Sequence, residues 1–156
     1  MAEARRGASI TGDVGGARVL VVEARYYDAV GEALWTGAKR ALERAGVMID
    51  RIAVPGALEI PQAIAMVLET ANHPYDGAVA LGCVIRGETS HYDIVAGESA
   101  RALMDLAIRH AFPIGNGILT VDSEAQALAR AVPERGDKGG DAARAVLSLI
   151  AFRRKL

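Results

Sequence analysis

The sequence is poor in cysteine. Cys83 is the only cysteine in 156 residues, so the chain can form no internal disulfide bond and offers no multi-cysteine metal site. This cysteine usage is typical of a protein from a reducing compartment. The three histidines are scattered and lack the spacing of a metal-ligand set, so we expect no bound metal.

Long apolar runs are also missing. No stretch is long enough to cross a bilayer, and residues 1–16 lack the apolar core of a signal peptide. A net charge of −1 provides no general attraction to nucleic acid or to an anionic membrane. We therefore expect a cytoplasmic protein that binds neither nucleic acid nor a membrane.

The composition that remains is that of a globular domain. Hydrophobic residues make up 51% of the chain and charged residues 24%, which favours a folded core over disorder. The length suits one domain, and we expect a flexible segment at 1–16 followed by a single domain at 17–156. Neither a P-loop pattern nor a GxGxxG pattern occurs, so nothing points to the common nucleotide sites.

Short apolar runs and stripes of helical periodicity alternate along the chain from residue 18 onward. The short apolar runs are typical of buried strands, and the stripes of helical periodicity are typical of the helices that cover such strands. The predicted strands span 18–24, 47–54, 76–85 and 115–121, and the predicted helices span 28–46, 59–71, 90–110, 123–131 and about 140–153. The stripe of the first helix is Val30, Leu34, Ala38, Ala41 and Leu42, and that of the third is Ile94, Val95, Ala102, Leu103 and Leu106.

Alternating strands and helices imply right-handed crossovers and a parallel sheet covered on both faces. We expect a three-layer α-β-α, flavodoxin-like α/β domain whose four strands have the order 2-1-3-4. Ligands bind such sheets at the carboxyl ends of the strands, near the switch between the first and third strands. Polar residues follow all four predicted strands, and these clusters should share one edge of the sheet.

The richest of these exits is the stretch LGCVIRGETSH at 81–91. Thr89 or Ser90 can cap the third helix. Gly87, Thr89 and the free backbone N–H groups of a helix start also suit a phosphate group, and Arg86 beside them favours an anion. Capping and phosphate binding both remain open from the residues alone.

Other polar residues at these exits have a structural and a functional interpretation. His91 falls in a first helical turn, where the helix dipole disfavours imidazolium and keeps the ring usable as a base, although a lone histidine is usually structural. Glu59 also falls in a first turn, where a carboxylate is stabilising without any function. Arg130 ends a short helix, where a cation is favoured in any case.

The strand exits also hold two tyrosines and the lone cysteine. Tyr26 and Tyr27 follow the first strand, and one of them suits a stacking platform for a planar heterocycle. Cys83 lies in an apolar run, which favours a small buried hydrophobic residue over a nucleophile.

Taken together, the motifs resemble those of lumazine synthase. The matching segments are VPGALEIP (54–61), ALGCVIRGETSHYD (80–93), GNGILTVDSEAQALAR (115–130) and DKGGDAA (137–143), in the order and spacing of that family. The resemblance runs from about residue 18 to residue 153. It implies a transferase of riboflavin biosynthesis that joins 5-amino-6-(D-ribitylamino)uracil to 3,4-dihydroxy-2-butanone 4-phosphate. The product is 6,7-dimethyl-8-ribityllumazine, formed with loss of phosphate and water and without a metal or redox cofactor.

The resemblance also implies roles for individual residues. His91 matches the proton-transfer histidine, and Glu88, Thr89 and Arg130 match the phosphate-binding residues. The pyrimidine and ribityl contacts match Tyr26, Ala57, Leu58, Glu59, Cys83, Val84, Ile85 and Asn116. The family donates its phosphate-binding arginine from the neighbouring subunit of a homopentamer, which in some members assembles into decamers or sixty-subunit shells.

Three residues depart from the family pattern. Tyr26 stands where phenylalanine or tryptophan is usual, and Leu58 replaces a common phenylalanine. Asn116 replaces an aromatic residue that closes the pocket from the adjacent subunit, which predicts reduced aromatic enclosure of the ligand.

Two alternatives belong to other functional classes. One is a non-catalytic protein of this fold that binds lumazine or flavin, although a pure binder would need no phosphate-binding loop. The other is a flavodoxin-like signalling or electron-transfer module, which rests on element order alone.

Overall fold

The computed structural model describes residues 6–156, and its strands and helices alternate in the predicted order. The strands are β1 (Arg18–Ala24), β2 (Met48–Val54), β3 (Gly77–Ile85) and β4 (Ile114–Val121). The helices are α1 (Asp28–Arg44), α2 (Glu59–Glu69), α3 (His91–His110), α4 (Glu124–Ala131) and α5 (Lys138–Lys155).

The four strands form one parallel sheet in the order β2-β1-β3-β4, which confirms the predicted topology. β1 lies inside the sheet, where Val22 is level with Ile52 of β2 and with Ala80 of β3. The chain turns in opposite directions from β1 and from β3, so the carboxyl ends of these two strands open a crevice. Sheets of this kind bind their ligands there.

Helices cover the two faces of the sheet and create two cores, which confirms the three-layer architecture. On one face α1, α4 and α5 bury Leu34, Ala127 and Val146 against the sheet. On the other face α2 and α3 bury Ile64 and Leu103. Burial of this apolar surface is the main stabilising contribution to such a domain.

The apolar stripe predicted for α1 is buried as expected, from Val30 to Leu42. Helix α1 ends at Arg44, and Gly46 follows with a φ angle of 71°. Glycine adopts this left-handed conformation at little cost, which explains why the helix stops there.

β2 is an edge strand, as the order 2-1-3-4 predicts, and its Met48 and Ile52 are exposed. One expectation about the buried helical stripes is wrong. Ile94 was assigned to the buried stripe of the third helix, but 55% of its surface is accessible, whereas Val95 and Leu103 are buried. Helical periodicity identifies a broad apolar face and does not say which part of it meets the sheet of the same chain.

The segment before β1 packs along α5. Residues 1–5 of the segment predicted to be flexible lie outside the described residues. The backbone N–H of Ile10 donates to Ser148 Oγ at 2.7 Å, and Arg154 donates to the carbonyl oxygen of Gly15 at 3.0 Å. Val14 is buried in the core formed by α1 and α5.

Two kinds of feature do not occur within residues 6–156. No helix there combines the length and the apolar character that crossing a bilayer requires. No group of three or more histidine, cysteine, aspartate or glutamate side chains is placed to hold a metal ion.

Candidate active site

A cavity of about 350 Å³ opens at the carboxyl ends of β1, β2 and β3. Tyr26 and Tyr27 line it from the exit of β1, and residues 55–59 line it from the exit of β2. The end of β3 contributes residues 83–85, and α3 contributes His91. Parallel strands bring these sequence-distant segments to one edge of the sheet, which is where the sequence predicted a ligand site.

The two tyrosines after β1 pack against each other at the mouth of the cavity. Their ring centroids are 5.1 Å apart and their planes meet at 69°, an edge-to-face arrangement. Tyr27 is half-buried against the core, and burial raises the pKa of its hydroxyl. Tyr26 is 77% exposed, so one face of its ring is free to stack on a planar ligand.

The turn between β2 and α2 presents its backbone to the cavity. The N–H of Glu59 donates to the carbonyl oxygen of Gly56 at 3.1 Å, and the N–H of Ile60 donates to that of Ala57 at 3.3 Å. Leu58 holds the N-cap position, and no side chain caps the helix there. These two backbone hydrogen bonds fix the turn whose residues line the cavity.

The end of β3 forms the floor of the cavity. Cys83, Val84 and Ile85 are all partly exposed, so the prediction that Cys83 is buried is wrong. Burial of its sulfur nevertheless raises the pKa of the Cys83 thiol to about 11, helped by the negative charge of Glu124. The thiol is therefore neutral at physiological pH and acts as a contact surface and not as a nucleophile.

The loop that follows β3 is exposed and closely tied to α3. Thr89 Oγ1 accepts a hydrogen bond from the N–H of His91 at 3.3 Å, while Ser90 holds the N-cap position without a side-chain hydrogen bond. Of the two predicted caps, Thr89 therefore supplies the hydrogen bond. His91 is exposed at the cavity, as its place in the first turn of α3 predicts.

Arg86, at the start of this loop, is held by neighbouring side chains. Its guanidinium lies 3.3 Å from Asp122 and 3.6 Å from Asp93, and it stacks on the ring of Tyr92 at 4.1 Å. The sequence suggested that this arginine favours a bound anion. In the structure its positive charge is instead paired with two carboxylates of the same chain.

Four predicted site residues lie outside the cavity that contains His91. Glu88 and Thr89 are in the exposed loop beside it. Asn116 lines a second cavity, of about 470 Å³, between α3, β4 and the end of α5. Arg130 is in the last turn of α4, where it donates to the carbonyl oxygen of Gln126 at 3.0 Å.

The position of Asn116 follows from the strand register. Asn116 is level with Ala80 of β3, three residues before Cys83, which amounts to roughly 10 Å along the strand. Its side-chain oxygen accepts from the N–H of Ile118 at 2.9 Å on the outer edge of the sheet. Within one chain, Asn116 therefore does not reach the cavity that contains Tyr26.

Sequence reasoning missed part of the cavity lining. Val95 lines it one turn after His91, and the spacing of four residues in a helix could have indicated this. Pro55 and Gly56 also line it; they belong to the exit of the second strand and to the motif at 54–61, but neither was named as a site residue.

Comparison with known proteins places the chain in one family. The model of the family described as 6,7-dimethyl-8-ribityllumazine synthase matches residues 16–154. A protein of that name from Azorhizobium caulinodans is 58% identical, covering 97% of this chain and 95% of the relative. One from Methylocella silvestris is 62% identical over 90% of this chain and 87% of the relative. A third relative, 6,7-dimethyl-8-ribityllumazine synthase 1 of Rhodopseudomonas palustris, is 55% identical over 100% of this chain and 98% of the relative.

Proposed function

The chain belongs to the 6,7-dimethyl-8-ribityllumazine synthase family, and we propose that it forms this lumazine in riboflavin biosynthesis. The reaction condenses 5-amino-6-(D-ribitylamino)uracil with 3,4-dihydroxy-2-butanone 4-phosphate and releases phosphate and water. The observation that carries the proposal is the cavity in which an exposed tyrosine ring, the turn before α2 and a helix-initial histidine meet. The chain is a transferase of this class.

The pyrimidine substrate occupies this cavity. Its planar ring stacks on Tyr26, whose outer face is exposed at the mouth. The uracil edge meets the partly exposed floor at 83–85, and the ribityl chain lies along Ala57, Leu58 and Glu59. The half-buried floor and the largely buried turn offer an apolar surface with a few polar groups, which is typical of a small-molecule site.

The phosphate of the second substrate binds at the loop after β3. Glu88 and Thr89 are exposed there, directly before the start of α3. Backbone N–H groups at a helix start attract an anion through their free hydrogens and through the helix dipole. The two substrates then lie side by side, and this proximity supplies much of the rate of a reaction that is otherwise bimolecular.

His91 moves protons between the bound substrates. The amine of the pyrimidine condenses with the ketone of the butanone phosphate to a Schiff base and releases one water. Phosphate is then eliminated, and ring closure by the ribityl-bearing nitrogen onto the carbonyl carbon that results releases a second water. Each of these steps needs a proton removed or delivered near the carbon chain that joins the two substrates. His91 lies between the pyrimidine cavity and the phosphate loop, which suits a general acid–base group.

We propose that Asn116 and Arg130 serve the cavity of a neighbouring subunit. Asn116 lies roughly 10 Å along the strand from the end of the floor in its own chain. Arg130 has no carboxylate within salt-bridge distance in residues 6–156, so its charge is available to a phosphate. A head-to-tail contact that supplies both residues closes into a ring.

The ring is proposed to be a homopentamer. Its support is an apolar surface beside Asn116, where Met104, Ile108 and Phe152 are exposed around the 470 Å³ cavity. An exposed apolar patch of this kind marks a protein interface. Nothing in the described residues favours larger assemblies of pentamers. A cytoplasmic location is part of the same proposal, since riboflavin precursors are charged or strongly polar metabolites.

Mixing the protein with both substrates and following the fluorescence of the lumazine tests the proposed function. We expect lumazine to appear faster than in the spontaneous reaction, and equally fast after treatment with a chelator. Binding of the pyrimidine without any gain in rate would overturn the proposal in favour of the non-catalytic binder. The relatives named above are synthases, so that alternative is not favoured.

A further inference from the structure

β1 carries one charged side chain into the core. Glu23 is 3% exposed, on the face of the sheet where Val19 and Val21 are fully buried. A buried carboxylate costs several kcal/mol unless it is paired and hydrogen-bonded. Glu23 is partly compensated: Arg51 of β2 donates to its Oε1 at 2.8 and 3.2 Å. Arg25 Nε lies 3.5 Å from the same oxygen as an ion pair without a hydrogen bond, and Oε2 has no hydrogen-bond partner among the described residues.

Both arginines are held on their far sides as well. The guanidinium of Arg51 stacks over the ring of Trp35 in α1 at 4.1 Å. The guanidinium of Arg25 is hydrogen-bonded to the carboxylate of Glu32 in α1. The network formed by Trp35, Arg51, Glu23, Arg25 and Glu32 therefore joins β2 and β1 to the first helix.

This network fixes the point at which the chain leaves β1. Arg25 is the first residue after the strand, and Tyr26 is the next. The exposed ring of Tyr26 packs edge-to-face with Tyr27. Its orientation therefore depends on the backbone that Arg25 anchors.

Energetics separate this role from a general contribution to stability. Replacing a buried ion pair by apolar residues is often neutral or stabilising for the fold. A gain in stability therefore does not by itself explain the presence of Glu23. The two hydrogen bonds from Arg51 fix the direction of the Glu23 carboxylate, and the charge of that carboxylate holds the Arg25 guanidinium beside it at 3.5 Å. The ion pair therefore has a clear role if the geometry of the chain at the exit of β1 determines how the ligand binds.

We propose that Glu23, acting through Arg25, is a positioning residue that sets the Tyr26 ring for stacking on the pyrimidine substrate. This inference rests on the proposed function, because it assumes that the pyrimidine binds in the cavity at Tyr26. Glu23 itself does not line that cavity. It acts only through the exit of β1.

The test measures the dissociation constant of 5-amino-6-(D-ribitylamino)uracil by calorimetry, with the KM for the butanone phosphate as the second readout. Glu23→Gln should weaken pyrimidine binding about three- to tenfold, the size of a weakened aromatic contact. The KM for the butanone phosphate should change less than about twofold, because the phosphate loop is not part of the network. If Glu23 had a purely structural role, Glu23→Gln would weaken the binding of both substrates together.

Arg25→Met is the second variant, needed if Glu23→Gln does not fold. It keeps the apolar stem of the side chain, and Glu23 retains Arg51 as a partner, so no buried charge is left unpaired. We expect the same three- to tenfold loss of pyrimidine affinity, roughly. Arg40→Met is the matched control. It removes an equivalent ion pair, between Arg40 and Glu134 at the far end of α1, and the variant should bind the pyrimidine normally.

Tyr26→Ala completes a double-mutant cycle. In that background Arg25→Met should change the dissociation constant by less than about twofold, because the ring that it positions is gone. An equal loss with and without the ring would overturn the inference. Unaltered affinity in Tyr26→Ala would also overturn it, yet leave the proposed function standing if lumazine is still formed. Failure of the unaltered protein to bind the pyrimidine would overturn both.

Discussion

The guanidinium of Arg86 lies 3.3 Å from the carboxylate of Asp122 and joins the loop after β3 to the turn after β4. Both residues are at the carboxyl edge of the sheet, and the loop between Arg86 and His91 carries the proposed phosphate site. Since Asp93 and Tyr92 contact the same guanidinium, we expect Arg86 to fix this loop and not to bind the substrate phosphate itself.

Arg86→Met should loosen this loop. We expect the KM for the butanone phosphate to rise about three- to tenfold, the combined size of two exposed ion pairs and a cation–π contact. Pyrimidine affinity should stay unchanged. Asp122→Asn should reproduce the direction of the effect, because it removes the same contact from the other side.

The control for Arg86→Met is Arg101→Met, which also removes two carboxylate contacts on α3 but lies ten residues beyond His91. If Arg86 bound the phosphate directly, Asp122→Asn would leave the KM for the butanone phosphate intact. That result would contradict the tethering role.

His91→Ala should reduce turnover and leave the binding of the pyrimidine substrate nearly unchanged. General acid–base catalysis contributes on the order of 100-fold, so we expect a loss of that size or less while substrate positioning remains. The affinity for the pyrimidine should change little. Steady-state kinetics and calorimetry measure the two effects separately, and a large loss of pyrimidine affinity with intact turnover would make His91 a binding residue.

Cys83 should be unreactive below strongly alkaline pH. Burial raises the pKa of its thiol to about 11, and a raised thiol pKa favours the neutral form. At pH 8 roughly one thiol in a thousand is ionised, so alkylation by iodoacetamide should be slow and should accelerate as the pH rises towards 11. Cys83→Ala should keep turnover within about threefold, since the side chain is only a contact. Rapid alkylation at pH 8 would contradict the burial of the thiol.

Gly139 should be intolerant of any side chain. A methyl group at this position would overlap the carbonyl oxygen of Leu34, so α5 could not pack as closely on α1. Gly139→Ala should lower the free energy of unfolding by about 3 kcal/mol, the upper range for overpacking. Denaturant unfolding measures this, with Gly97→Ala as the control because a methyl group at Gly97 meets nothing within 4 Å. Equal stability of the two variants would show that α5 can shift.

The sheet order and the place of the cavity could be predicted because they follow from local patterns. Four apolar runs separated by helical stripes leave few topologies, and parallel strands bring all their exits to one edge. Tyr26, residues 57–59 and His91 could therefore be placed together before any coordinates. The family motifs then assigned them to substrates.

Long-range contacts could not be predicted in this way. The sequence shows Arg86 beside a glycine but does not show that Asp122, distant along the chain, takes up its charge. The sequence does not show that Glu23 of the first strand pairs with Arg51 of the second, or that Trp35 of the first helix packs on that arginine. Ile94 was assigned to the core because periodicity does not separate a face that meets the same chain from one that is left exposed.

Subunit complementation tests most directly whether each site is built from two chains. His91→Ala and Arg130→Ala are co-expressed in equal amounts and compared with each variant assembled alone. If a site takes His91 from one chain and Arg130 from its neighbour, random mixing restores roughly one site in four. We predict mixed rings with about a quarter of the activity of the unaltered protein, well above either pure variant. Mixed rings no more active than the average of the two pure variants would contradict the shared site.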